Sequence, residues 1–172
     1  MSWSSSATCG ASGCLSSKRR SLSERVRNRL RIVGEVHNVR EGLLLLRVCA
    51  FGAAVPLLMR LPLPRLAALV SRPPRRSAPA AAEIDRLVRV IDLAPRAARP
   101  LVRSGCLTRG LTLFWFLRRA GLDVELRFGL DAAPEGAIDG HCWLALGGEP
   151  FLEKRDPRPR FAEQYRLPLP VA

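Results

Sequence analysis

The run CLTRGLTLFWFLRRAG (106–121), followed almost at once by VELRFGL (124–130), most constrains what this chain can fold into. Apolar residues cover nearly every face of the first segment, and it ends on two arginines and a glycine, so it reads as a mostly buried helix with a favourable C-terminus. At about 100° per residue, Thr108, Thr112 and Arg119 share one narrow polar stripe, with Cys106 roughly opposite. The second segment alternates strictly. Val124, Leu126, Phe128 and Leu130 lie on one face and Glu125, Arg127 and Gly129 on the other, the period of a half-buried strand. DAAPEGAIDG (131–140) reads as a loop, and HCWLAL (141–146), Gly147-Gly148 and PFLEK (150–154) as a hairpin. A buried helix leading into antiparallel strands defines an α+β chain with a central helix packed on a small sheet.

Upstream, residues 36–70 are strongly apolar but are interrupted by Arg47, Arg60 and Arg65 and by Pro56, Pro62 and Pro64. These interruptions argue against a membrane span and predict two helices, about 38–60 and 63–70, packed on a core. Basic residues flanking an apolar face also fit a weak contact with a membrane surface. SRPPRRSAPAAA (71–82) has linker composition, and Ile84, Leu87, Val88 and Ile91 recur at helical spacing ahead of Pro95, which is expected to stop that helix. The Ser-rich amino terminus lacks a continuous apolar signal-peptide region. The 172 residues therefore divide into a disordered tail (1–28), a helical lead-in with its Pro/Arg linker (29–82), and a core (83–172) on which 36–70 packs. The proline-rich stretch from Asp156 onward is expected to wrap the surface without regular structure.

Twenty-eight Lys+Arg against fifteen Asp+Glu give a net charge of +13, and Lys18 and Lys154 are the two lysines. Such a charge suits an acidic partner or an anionic surface, although a composition rich in Arg, Ala, Pro and Leu is also what a GC-rich bacterial genome encodes. The arginines are dispersed and accompany no nucleic-acid-binding motif, so no nucleic acid partner is expected. Five cysteines, at positions 9, 14, 49, 106 and 142, form no dense disulfide pattern and fit a reducing cytoplasm. No C-x-x-C pair is present, so neither a zinc site nor a cofactor is expected.

Cys106 opens the buried helix. Unpaired backbone N–H groups and the helix dipole stabilise an anion at such a position, which favours a nucleophilic thiolate. Arg103 and Arg109 act in the same direction. Of the two histidines, His37 reads as a solvated helix residue, whereas His141 begins a strand after a Gly-rich loop, where its ring can face a cleft. Each residue alone reads more readily as structural. Together they give the order Cys at a helix start, strand, His at the next strand, then an acid, which is the order a Cys-His-acid triad requires. Trp143 shares the face of His141 by alternation, where it either walls the imidazole or packs in the core, and Cys142 on the other face reads as core.

These segments resemble the bacterial lasso-peptide leader peptidases, maturation proteases of the transglutaminase-like superfamily. The resemblance is carried by Cys106-Leu107-Thr108-Arg109 at the helix start, Leu117-Arg118-Arg119-Ala120-Gly121-Leu122 at its end, His141-Cys142-Trp143, and Glu153 twelve residues after the histidine. It extends over about residues 40–165. It implies a papain/transglutaminase-like core and removal of the leader from a ribosomally made precursor peptide, with Cys106 attacking the scissile carbonyl, His141 exchanging the proton and an acid orienting the imidazole. It also implies a separate leader-recognition protein and an ATP-dependent lasso cyclase as partners. Acyl transfer to an amine would use the same residues, and a non-catalytic scaffold would retain the same fold.

The third member is the open point. The family commonly has Asp where this chain has Glu153. A two-residue Gly147-Gly148 turn would set Glu153 opposite Cys142 and Lys154 opposite His141, turning Glu153 away from the imidazole unless the strand end is irregular. Glu153 is preferred on the resemblance; Asp156, which has the matching parity, is the fallback.

Overall fold

The computed structural model describes residues 38–71, 78–99, 101–102, 104–132 and 138–169. His37, Arg103, Cys9, Cys14 and the amino-terminal tail lie outside them.

Among the described residues four helices precede four strands: α1 Val39–Leu58, α2 Leu63–Val70, α3 Ala81–Ala97, α4 Cys106–Ala120, β1 Val124–Ala132, β2 Ile138–Leu146, β3 Glu149–Phe151 and β4 Ala162–Leu167. The α+β class is as expected. Helix α1 starts where the Asn38 side chain accepts from the Glu41 N–H at 2.9 Å, satisfying one of the orphan donors of the first turn. The Leu-Pro-Leu-Pro turn separates α1 from α2, with Pro62 as N-cap and Pro64 in the first turn, where a missing N–H costs no helical bond. Helix α3 corrects the sequence expectation: it runs through Pro95 to Ala97. The proline falls in the final turn, so it removes one terminal hydrogen bond rather than breaking the middle of a helix.

Helix α4 ends as its residues dictate. Gly121 takes a left-handed φ of 112°, and its N–H and that of Leu122 close on Leu117 O at 3.1 and 3.0 Å, a glycine-dependent cap. The two terminal arginines differ from a simple solvated end. Arg118 is buried, donating to Asp123 at 2.6 Å and to the Val124 carbonyl at 3.0 Å, which ties the helix end to the start of β1. Thr112 of the supposed polar stripe is also buried, its hydroxyl returned to the Thr108 carbonyl at 2.6 Å.

The sheet is antiparallel in the order β3-β2-β1-β4. Three sequence expectations are corrected here. The hairpin between β1 and β2 is longer than expected, because Asp131 pairs with Asp139 and Leu130 with Gly140 inside the segment read as a loop. His141 is consequently the fourth residue of β2 rather than its first. The tail after Asp156 is not wholly irregular, since β4 adds to the far side of β1 through Leu126–Leu167 and Phe128–Tyr165.

Val124, Leu126, Phe128, Cys142 and Leu144 face α4, and they join residues of all four helices in one hydrophobic cluster. The helical lead-in and the sheet thus share a core. Glu41 adds a polar clasp, buried on α1 and paired with Arg89 of α3 at 3.0 Å.

The opposite face of the sheet carries Gly129, His141 and Trp143, roofed by Phe161. A Cβ on Gly129 would lie 2.8 Å from Trp143 Cζ3 and 2.9 Å from Phe161 Cβ, and the indole, at 1% exposure, has nowhere to move. Gly129→Ala is expected to destabilise the protein by about 1–3 kcal/mol through overpacking. A thermal melt reads this as a fall of roughly 2–4 °C per kcal/mol, whereas Gly105→Ala, where a Cβ meets nothing within 4 Å, should fall much less.

Candidate active site

Cys106 is the first residue of α4 and is solvent-exposed. Its N-cap is Gly105, in extended backbone at φ 175°, and no side chain caps the first turn. The N–H groups at this helix end are therefore not covered by a capping side chain of their own. Cys142 lies beneath. A Cβ on Gly110, one turn after Cys106, would meet Cys142 Sγ at 3.1 Å, so Gly110 lets the β2 thiol approach the base of the helix. Burial pushes the Cys142 thiol well above the ordinary range, and the neighbouring Cys106 thiol and Glu153 carboxylate push the same way.

His141 stands on the other side of β2. Its ring stacks on Trp143 with centroids 6.3 Å apart and planes 14° apart, and leans on Phe161 at 5.2 Å. Trp143 is thus both a wall against the imidazole and a buried core residue, so the two sequence readings merge. The imidazole remains partly open, and its Nε2 is 3.7 Å from Glu153 Oε2. That separation is longer than a hydrogen bond and becomes an ion pair when the imidazole is protonated.

Strand parity alone would have turned Glu153 away. Gly147 and Gly148 form the two-residue turn, both at positive φ, and β3 pairs in the register expected from it, Leu146–Glu149 to Leu144–Phe151. The ladder then stops. Leu152 takes a left-handed φ of 61°, which ends the strand alternation before Glu153 and lets its carboxylate reach the face of His141. Asp156 is occupied elsewhere: both of its carboxylate oxygens accept from Arg158, at 2.7–3.0 Å, and these bonds hold its carboxyl below the usual carboxylate range.

Glu153 is also the group whose charge is felt on both sides of β2. It contributes to the raised Cys142 thiol and, in a minor way, to the strengthened basicity of Arg109. Arg109 is clamped primarily by Asp92 of α3, at 2.7 and 3.3 Å. The structure thus brings Glu153 to His141 and Cys142 to Cys106. Among the described residues no hydrogen bond joins Cys106 to His141. What the sequence did not signal is the Asp92–Arg109 clasp, since the two residues lie seventeen apart on different helices. Among the described residues no group of three or more His, Cys, Asp and Glu converges to hold a metal ion.

The three described cysteines are free thiols in contrasting surroundings. Iodoacetamide at about neutral pH is expected to label Cys106 first, because thiolate fraction and access together set the rate. Cys49, raised by burial, and Cys142 should react slowly. Peptide mapping after brief labelling checks the order, and preferential modification of Cys142 would contradict it.

The fold is an α+β domain in which an exposed cysteine opens the central helix, over the face of β2 that carries Cys142, and His141 and Glu153 approach each other on the other face. The model of the transglutaminase-like superfamily matches residues 47–166, and the chain belongs to that superfamily. No curated protein and no solved structure matches it. Membership points to cysteine peptidase or acyltransferase-type chemistry.

Proposed function

We propose that this chain is a cytoplasmic cysteine peptidase that removes the leader from a ribosomally made, lasso-type precursor peptide. The observation that carries the catalytic part is the approach of Glu153 to His141 Nε2 at 3.7 Å, on the strand beside an exposed thiol that opens α4. The substrate class rests on the likeness of the Cys106–Arg109, Leu117–Leu122, His141–Trp143 and Glu153 motifs to lasso leader peptidases.

An imidazole that carries its proton on Nε2, the nitrogen 3.7 Å from Glu153, would keep on Nδ1 the lone pair that can take a proton. Cys106 gives its proton to His141 and its sulfur attacks the scissile carbonyl. The oxyanion is met by N–H groups of the uncapped α4 start, Cys106 N–H first. His141 returns the proton to the leaving amine, and the thioester at Cys106 is then opened by water that His141 deprotonates. Glu153 orients the ring and stabilises the imidazolium. Contacts of this kind are commonly long before substrate binds and shorten with it. A separate leader-recognition protein would deliver the precursor, and an ATP-dependent cyclase would take the released core peptide.

The test is cleavage of a lasso-type precursor in ¹⁸O-water with its recognition protein present and a primary amine added. The expected products are the free core amine and a leader whose new carboxyl carries the label. An amine-capped leader would reassign the protein to acyl transfer. Intact precursor, under conditions where generic peptide esters are turned over, would remove the lasso-type substrate.

A further inference from the structure

Helix α1 is twenty residues long and is the described helix long and apolar enough to cross a membrane, yet one side of it belongs to the protein core. Glu41, Val48, Gly52 and Val55 are buried, packed toward α3 and α4. At about 100° per residue, Val39, Leu43, Leu46, Ala50, Ala53 and Leu57 fall within a narrow stripe diametrically opposite, and all six are exposed. The large side chains among them stand far into solvent: Val39 is 80% exposed, Leu46 66% and Leu57 65%. Leu63 and Leu69 of α2 are exposed as well. Contiguous apolar surface of this kind marks an interaction site.

The charges beside it select the occupant. Arg40, Arg47, Arg60 and Arg65 are exposed, and among the described residues none has an ion-pair partner. From residue 39 to residue 82 the one acid in the sequence is Glu41, which is buried against α3. A second copy would therefore bring the exposed arginines of this face against their own kind, with Glu41, the one acid on α1 and α2, buried and unable to offset them. The face is convex and aliphatic, and residues 18–38, ahead of α1 in the sequence, carry seven Lys+Arg against two Glu. Diffuse positive charge beside an aliphatic stripe fits a deformable anionic surface, into which the leucines insert while the arginines meet headgroups.

We propose that the outer face of α1 docks the protein on an anionic lipid membrane, with α1 lying in the plane of the interface and its inner face still on α3 and α4. The proposal does not depend on the reaction at Cys106.

Sedimentation of the full chain with vesicles tests it. Binding is expected to phosphatidylglycerol–phosphatidylcholine vesicles at low salt, and to weaken on phosphatidylcholine alone and at high salt. Leu43→Gln with Leu46→Gln should weaken binding at least about tenfold, and Arg40→Gln with Arg47→Gln about fivefold for each charge. All four positions are exposed, so the melting temperature of both variants should match wild type. No binding to anionic vesicles would overturn the proposal. So would equal binding by the leucine variant, which would mean charge alone, or a wild-type dimer in solution that the leucine variant dissociates, which would mean a second copy covers the stripe.

Discussion

Cys106→Ala should lower peptide-bond cleavage by about 10⁴-fold or more, because in the proposed mechanism its sulfur carries the covalent step that splits the reaction in two. The same substitution should leave the fold intact: Cys106 is exposed at the first position of α4, and substitutions at such sites stay within about 0.5 kcal/mol. Cys106→Ser preserves the shape but offers a far less acidic nucleophile, and should be nearly as inactive. Single-turnover assays beside a melting curve separate the two quantities. The comparison with Cys142 is informative, since that thiol lies against the same turn of helix but is buried and held protonated. Cys142→Ala should lose stability and retain cleavage. The reverse pattern, a stable but inactive Cys142→Ala beside an active Cys106→Ala, would exchange their roles.

Glu153→Gln should reduce cleavage on the order of 10²–10⁴-fold, whereas Asp156→Asn should change it by less than about twofold. The amide keeps the size of Glu153 but loses the charge that the proposed mechanism sets against the imidazolium, and it can present an N–H where that mechanism needs an acceptor. Asp156, by contrast, spends its hydrogen bonds on Arg158, itself also held by Glu149 at 2.8 Å. Losing it should loosen a surface turn rather than the imidazole. Kinetics of the two variants against a common precursor check this, and equal losses would mean that the 152–158 turn acts as a unit.

Glu153 also shows where sequence reading stops. The register of the β2–β3 turn was legible from Gly147-Gly148, and it proved correct through Phe151. Taken one step further, it would have placed Glu153 on the wrong face. The deciding feature is the left-handed backbone at Leu152, a conformation that leucine rarely adopts and that no local pattern announces.

Helix α4 and strand β1 were legible for the opposite reason. Each has a hydrophobic period that a single element satisfies, with Gly121 between them to end the helix. Strand β4 was not, because AEQYRL has two inward residues, Tyr165 and Leu167. Its pairing comes from β1, more than thirty residues earlier. The ends of the β1–β2 hairpin were hidden by their composition. Asp131 and Asp139 look like loop residues until Arg160, bound to both at 2.8 Å, neutralises them side by side on paired strands. The outer face of α1 was legible as apolar sequence, but which half of the helix meets the core depends on α3 and α4.

The central claim is that Cys106 forms the covalent intermediate with His141 and Glu153 assisting. It is tested most directly by trapping that intermediate: mixing the protein with a precursor-derived peptide ester, quenching in acid within the first turnover, and mapping the modified residue by mass spectrometry. The account predicts a leader-peptide thioester on Cys106, formed far more slowly in His141→Asn. An acyl group on any other residue, or undiminished acylation in His141→Asn, would contradict it.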